Sequence, residues 1–192
     1  MTLLWFFVLL LSAALLHFLV AYEPLSAGSG IPQVKGAILG FIKMNWLRVL
    51  WTKLIGGIIG IGAGLSLGRE GPSIQLGAMA AQGISRLFGR SRMEERYLLT
   101  SGASAGLAAA FNAPLAGVIF SLEELHHNFS AVVLLPAMAA ALTSTAVSQL
   151  IFSSATIFNF VDLPVMPLRY FGLTIVLGVV LGVFGTIFNY CL

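Results

Sequence analysis

Charged residues are scarce in this 192-residue chain, where they make up 9% of the sequence while apolar residues make up 58%. Soluble domains carry about a quarter charged residues, so this composition excludes them and predicts a polytopic helical membrane protein. The ten lysines and arginines are spread between apolar runs and do not form the dense basic face of a nucleic-acid-binding domain. We therefore expect the lipid bilayer, and no nucleic acid, as a partner.

Cysteine is also nearly absent, since Cys191 is the single one in the sequence. One cysteine excludes an internal disulfide and a cysteine-based metal cluster. The sequence after Met1 is apolar at once, with no basic segment and no small-residue cleavage site, so we expect no secretory signal peptide.

The few charges that are present include a pair in the middle of an apolar stretch, in Gly68–Pro72 (GREGP). The runs Ile55–Leu67 and Ser73–Ser85 on either side hold no charge. Glycine and proline disfavour a helix interior here, whereas proline suits a first helical turn, so the segment predicts a helix start at Glu70. A helix N-terminus at membrane depth can hold an anion, and an ionisable residue there indicates function.

A second break of the same kind is Gly28–Pro32 (GSGIP), which follows an apolar span over Leu3–Ala21 that ends at Glu23. It again combines small residues, one polar side chain and a proline able to open a helix. Two such breaks in one membrane chain are typical of transporters, whose discontinuous helices direct their ends at the transported ion.

Basic residues fall into two groups that the positive-inside rule assigns to the cytoplasm. The 32 residues between the groups are too few for two full spans of ~20 residues each. We therefore expect Ile55–Leu67 and Ser73–Ser85 to be short or re-entrant segments that meet at Arg69 and Glu70, with Glu70 in the membrane and approached from outside. The two groups are Lys35, Lys43, Arg48 and Lys53, and Arg86, Arg90, Arg92 and Arg96.

Three further apolar segments predict helices. The segment Tyr97–Leu122 is broken at Asn112–Pro114, and Ala131–Phe152 contains Pro136. The last predicted span is Phe171–Phe188, and because the sequence is still apolar at its end we expect the chain to be a fragment.

Three motifs together resemble the signatures of the CLC chloride channel and transporter family, the voltage-gated chloride channel type. They are Gly28–Pro32, Gly68–Pro72 and Ala108–Gly117 followed by Glu123 and Glu124, in the family's order and spacing. The resemblance implies an all-α polytopic membrane protein with discontinuous and re-entrant helices. Residues 1–192 would be a single transmembrane-domain fragment, the first inverted repeat of a CLC-type pore and the start of the second, without a cytoplasmic regulatory domain. It also implies a homodimer in a bacterial inner membrane.

The resemblance assigns roles to individual residues. Ser29 matches the serine that contacts the central anion, and Glu70 matches the gating glutamate that competes with chloride and carries the proton. Glu124 matches the inner proton acceptor of the exchangers, with Glu123 beside it as the second candidate. The implied function is chloride transport coupled to proton antiport, with no enzymatic activity and no cofactor; the alternative is a passive gated chloride channel. The implied anion-binding set is Gly28, Ser29, Gly30, Ile31, Pro32, Arg69, Glu70 and Gly71.

Simpler structural roles compete with these functions. Ser29 suits a helix cap, and Arg69 with Glu70 suits a buried ion pair, although adjacent side chains diverge. Glu123 suits a solvated cluster at the membrane interface. The spacing of Glu123 and His126 matches half of a di-iron Glu-x-x-His site, but no second copy exists, so we expect no metal.

The small residues of Ser101–Gly106 predict close helix packing. They also allow a rival function, an intramembrane serine hydrolase with Ser104 as nucleophile in a small-residue turn and His126 or His127 as base. Helix packing explains the same residues with fewer assumptions. A third alternative, a scaffold that transports nothing, gives no reason for Glu70 in the membrane.

Overall fold

The computed structural model of the chain describes residues 2–127, 129–152 and 167–191. Its regular structure over these residues is helical, which confirms the all-α prediction. Residues 2–127 and 129–152 belong to one compact unit and residues 167–191 to another. The helices of the first unit are α1 (Thr2–Tyr22), α2 (Ile31–Leu39), α3 (Trp46–Gly62), α4 (Glu70–Leu87), α5 (Arg92–Phe111), α6 (Pro114–Phe120), a π-helical turn (Ser121–His126) and α7 (Ala131–Phe152); the second unit contains α8 (Phe171–Cys191).

Within residues 2–127, 129–152 and 167–191, three helical segments are long and apolar enough to cross a membrane: Trp5–Tyr22, Ala131–Phe152 and Leu168–Cys191. They correspond to the predicted first span, the span that contains Pro136 and the last span. In the second unit, the short 3₁₀ turn Leu168–Tyr170 leads directly into α8.

The segment before Glu70 is longer than predicted. The structure has α3 over 17 residues and α4 over 18 residues, which at ~1.5 Å per residue are each about 26 Å long. The predicted start of the first segment at Ile55 was therefore wrong. Helix α3 begins at Trp46, because Arg48 and Lys53 do not interrupt it. Arg48 places its guanidinium 5.7 Å from the ring centre of Tyr22, and Lys53 turns inward. The helix start at Glu70 is confirmed.

Helices α4 and α5 pack with almost no space between their backbones. A Cβ atom on Gly77 would overlap the carbonyl oxygen of Gly102, and one on Gly106 would overlap the carbonyl oxygen of Ser73. Only residues without a side chain permit this approach. The close packing predicted from Ser101–Gly106 is thus confirmed. Both helices contribute to one hydrophobic core, whose large buried side chains include Val34, Val49, Ile74, Met79, Leu99 and Leu125.

Local sequence fixes both ends of α5. Ser91 and Glu94 form a reciprocal capping box at its start, with 2.9 Å from the Ser91 amide to the Glu94 carboxylate. At its end Asn112 adopts a left-handed conformation with φ of 54°, and Pro114 opens α6, as the predicted break required. The chain then turns back through α6, so the π-helical turn lies against α2. This return brings Glu124 to α2, the helix that begins within the Gly28–Pro32 motif.

Candidate functional site

The loop before α2 owes its shape to glycine. Gly28 and Gly30 have φ of 65° and 90°, a conformation that side chains other than glycine's disfavour. A Cβ atom on Gly30 would also lie 2.5 Å from the side-chain oxygen of Gln75. The hydroxyl oxygen of Ser29 accepts a hydrogen bond from the Ile31 amide at 3.3 Å. Its O–H group therefore stays available to donate to a ligand.

The Gly68–Pro72 motif contains the first turn of α4. By helix geometry the amides of Glu70 and Gly71 have no acceptor within the helix, and Pro72 brings no amide. The next amide, of Ser73, donates to the Arg69 carbonyl at 3.1 Å. The Glu70 carboxylate folds back against the Cα of Gly68, where a side chain would overlap it. Two free amides and one carboxylate thus meet at this helix start.

The two motifs are in direct contact. A Cβ atom on Gly71 would lie 2.5 Å from the carbonyl oxygen of Ser29, so only glycine lets α4 begin this close to the loop. A cavity of about 530 Å³ opens beside the contact. Arg69 lines a neighbouring recess instead, and Gly30 and Pro32 also lie outside the lining of this cavity. The predicted anion-site residues that line the cavity are Gly28, Ser29, Ile31, Glu70 and Gly71.

Lys53 also lines this cavity, although the spacing of the basic residues predicts that it belongs to a cytoplasmic group. The residue is buried, with 6% of its surface exposed, and its ammonium donates to the carbonyl oxygens of Ser26 at 2.9 Å and Gly28 at 2.6 Å. These bonds hold the loop that carries Ser29 and place a positive charge in the cavity wall. The prediction of one basic cluster is wrong for Lys53, because Lys53 lines this cavity whereas Lys43 lines another. The signal that could have identified it is a lone lysine inside an apolar helix.

The alternative of a buried ion pair between Arg69 and Glu70 is also wrong. Arg69 is exposed, and over the described ranges neither Arg69 nor Glu70 belongs to an ion pair. Glu70 is half-buried. The charge of Glu70 is therefore left to interact with whatever enters the cavity.

Glu124 forms an ion pair with Lys35, whose ammonium lies 2.9 Å from the carboxylate. The hydrogen bond from Lys35, and then its charge, hold the pKa of Glu124 below its usual value. Glu124 stands on the π-helical turn, outside the three candidate spans, and half of its side chain is exposed. Glu123 is exposed and has no ion-pair partner among the residues described. The structure thus connects Glu124, and not Glu123, to α2.

The geometry that a serine hydrolase would need is not formed. Ser104 is fully buried within α5, not in a turn, and its hydroxyl donates to the Thr100 carbonyl at 3.0 Å. His126 places Nδ1 2.9 Å from the hydroxyl of Thr100 instead. The nucleophile that the rival hydrolase function requires is therefore buried in a helix and is not paired with this histidine, so the structure gives that alternative no support.

A family model and two curated proteins match this chain. A family model described as "Voltage gated chloride channel" matches residues 8–192. The chain is 39% identical over 194 residues to the H(+)/Cl(-) exchange transporter ClcA of Vibrio cholerae, covering 97% of this chain and 42% of that protein. It is 40% identical over 177 residues to the protein of the same name from Yersinia pestis, covering 90% and 37%. The chain therefore spans less than half the length of these relatives.

A solved structure has the same arrangement of helices. The crystal structure of a slow cyanobacterial Cl-/H+ antiporter superposes with a TM-score of 0.86 at 34% sequence identity, over 97% of this chain and 45% of that one. The fold inferred from the three motifs is thereby confirmed.

Proposed function

Since the chain belongs to the voltage-gated chloride channel family, we propose that the protein containing it exchanges chloride for protons across a membrane. The relatives that carry the name of an H(+)/Cl(-) exchange transporter are bacterial, which supports a bacterial inner membrane as its location. A homodimer, as the family resemblance implies, is the proposed assembly. Chloride is the proposed substrate and the proton the coupled ion, with neither a cofactor nor an enzymatic reaction.

The observation that carries this proposal is the contact between the Ser29 loop and the start of α4 in one cavity. The cavity offers what a small anion needs: a hydroxyl donor from Ser29, first-turn amides and the buried ammonium of Lys53. Glu70 carries the same sign of charge as chloride, so the same groups can hold either one. Protonation of Glu70 removes this competition and lets chloride take its place.

A second carboxylate supports exchange over passive flow. A proton needs acceptors on both sides of an apolar barrier, whereas a channel needs only the gate at Glu70. Glu124 supplies such an acceptor and is held by α2, the helix that begins at the anion loop. Lys35 is only ~6 Å along the helix axis from Ile31. The anion loop and the proposed proton acceptor therefore share one short rigid element.

Chloride-driven proton movement tests the proposal directly. The full-length protein is reconstituted in vesicles with a chloride gradient and no initial pH gradient, and the external pH is recorded after the membrane potential is collapsed. Exchange predicts that protons move in the direction opposite to chloride. The resulting pH change should collapse when a protonophore is added. Chloride flux without proton movement would identify the channel alternative.

Ser29→Ala is expected to weaken chloride binding roughly tenfold, because it removes one hydrogen bond to a charged ligand. Titration calorimetry with chloride on the purified protein measures the change. Ser66→Ala is the matched control, since Ser66 is exposed and does not line the cavity. Equal affinities for the Ser29→Ala protein and the unmodified protein would remove Ser29 from the anion site.

Lys35→Gln is expected to shift the pH dependence of proton-coupled flux to higher pH. Lys35 lowers the pKa of Glu124, so its loss raises that pKa and lets the carboxylate take up protons from a less acidic solution. The ion pair itself forms above the pKa of Glu124 and is lost as the pH falls through it. Lys35→Arg keeps the charge and should retain the original profile. An unchanged profile for Lys35→Gln would separate Glu124 from the proton step.

A further inference from the structure

A second cavity, of about 250 Å³, lies at the opposite end of α4 from Glu70. Three parts of the chain enclose it: the connection after α2, the last turns of α4 and the first turns of α5. Here Lys43 of the first basic group lies beside three arginines of the second, whereas Lys53 of the first group lies in the cavity at the Glu70 end. The charged lining residues of the second cavity are Lys43, Arg86, Arg92, Arg96 and Glu95.

The positive charge of this cavity is only partly compensated. Glu95 accepts a hydrogen bond from Gln82 at 2.6 Å and lies 3.4 Å from the Arg86 guanidinium, so it is already engaged. Arg96 rests its guanidinium against the Cα of Gly40. Within the ranges that the structure describes, three of the lining cations have no ion-pair partner: Lys43, Arg92 and Arg96.

Large apolar side chains stand exposed next to these cations in the chain. Phe41 is 84% exposed, Leu87 77%, Phe88 72% and Met93 65%. Each is a near neighbour in sequence of a residue that lines the cavity. A free soluble anion would not contact these apolar side chains. A lipid offers both a charged headgroup for the cations and acyl chains for the apolar residues.

We propose that this cavity binds the phosphate headgroup of an anionic phospholipid whose acyl chains lie along the exposed apolar side chains. Arg92 and Arg96 are two of the three cations without an ion-pair partner among the residues described. The planar guanidinium of each can bind two phosphate oxygens at once. The positive-inside rule places this end of the protein at the cytoplasmic leaflet, where anionic lipids attract basic residues. The proposal does not depend on the transport function.

Lipid retention measured by native mass spectrometry tests the site. The purified full-length protein is titrated with phosphatidylglycerol, with phosphatidylcholine and, in a separate arm, with inorganic phosphate. Arg92→Gln and Arg96→Gln should each weaken phosphatidylglycerol binding about fivefold, since one basic residue near a membrane surface contributes this much. Arg90→Gln is the matched control, because Arg90 lies outside the cavity and faces Glu94 at 3.8 Å. It should leave binding within about twofold of the unmodified protein.

Three results would overturn the proposal. Equal retention of phosphatidylglycerol and phosphatidylcholine by the unmodified protein would show that headgroup charge does not matter. An equal loss in Arg90→Gln would show diffuse surface attraction without a site. Binding of inorganic phosphate that depends on Arg92 and Arg96, with no preference for phosphatidylglycerol, would assign the cavity to a soluble phosphate. The unmodified protein decides the first question even if a variant does not fold.

Discussion

Glu70→Gln will retain chloride flux through the reconstituted protein and abolish its coupling to protons. Glutamine has nearly the shape of a protonated glutamate, so the anion path past the start of α4 stays open. It has no titratable group, so no proton can be carried at this position. Among the residues described, no ion pair holds Glu70 in place, so the substitution leaves no partner charge exposed. Chloride efflux and proton uptake, recorded in the same vesicles, measure both effects.

The matched control for this experiment is Glu123→Gln, which removes one exposed carboxylate from a different part of the chain. It should leave both chloride flux and proton uptake unchanged. Normal proton uptake in Glu70→Gln would contradict the gating role. Loss of chloride flux together with proton uptake would instead indicate that Glu70 is needed for the structure of the cavity.

Glu124→Gln is expected to make the reversal potential of the full-length protein insensitive to a pH gradient while chloride still flows. The inner proton acceptor would be gone, so only chloride would respond to voltage. The amide also ends the ion pair with Lys35, but that pair is half exposed and contributes little to stability. Current recordings from planar bilayers under opposed chloride and pH gradients provide the measurement.

The adjacent carboxylates make this experiment specific. Glu123→Gln should keep the pH response, because of the two carboxylates only Glu124 forms an ion pair with α2 among the residues described. If Glu123→Gln abolishes the response and Glu124→Gln does not, the acceptor is Glu123 and the ion pair with Lys35 is purely structural. If the unmodified protein already ignores the pH gradient, it is a channel.

Local sequence predicts the helix starts of both motifs because glycine and proline act on their own backbone. Pro32 and Pro72 lie in the first turns of α2 and α4, as expected from the fixed backbone angle of proline. The break at Asn112 follows from the same local chemistry. The interior of α3 differs in this respect. The helix continues through Arg48 and Lys53, and only packing shows how their charges are accommodated.

The partners of the lysines could not be predicted from the sequence. Lys35 and Lys53 look alike in the sequence, since each stands among apolar residues and belongs to the same basic group. Lys35 meets a carboxylate 89 positions away, and Lys53 meets carbonyl oxygens 25 and 27 positions away. None of these sequence separations corresponds to the period of a helix or a strand. Such contacts depend on how the helices fold back on one another.

The sequence alone determined that this is a helical membrane protein, which family it resembles and where the chain breaks at Ser29 and Glu70. These properties follow from composition and from backbone preferences, which act over a few residues. The tertiary structure alone decided that the two breaks share one cavity, that Lys53 enters its wall and that Lys35 holds Glu124. The first of these contacts depends on Gly71, which lets the start of α4 approach the Ser29 loop to a distance that no side chain would permit, as Gly77 and Gly102 do between α4 and α5.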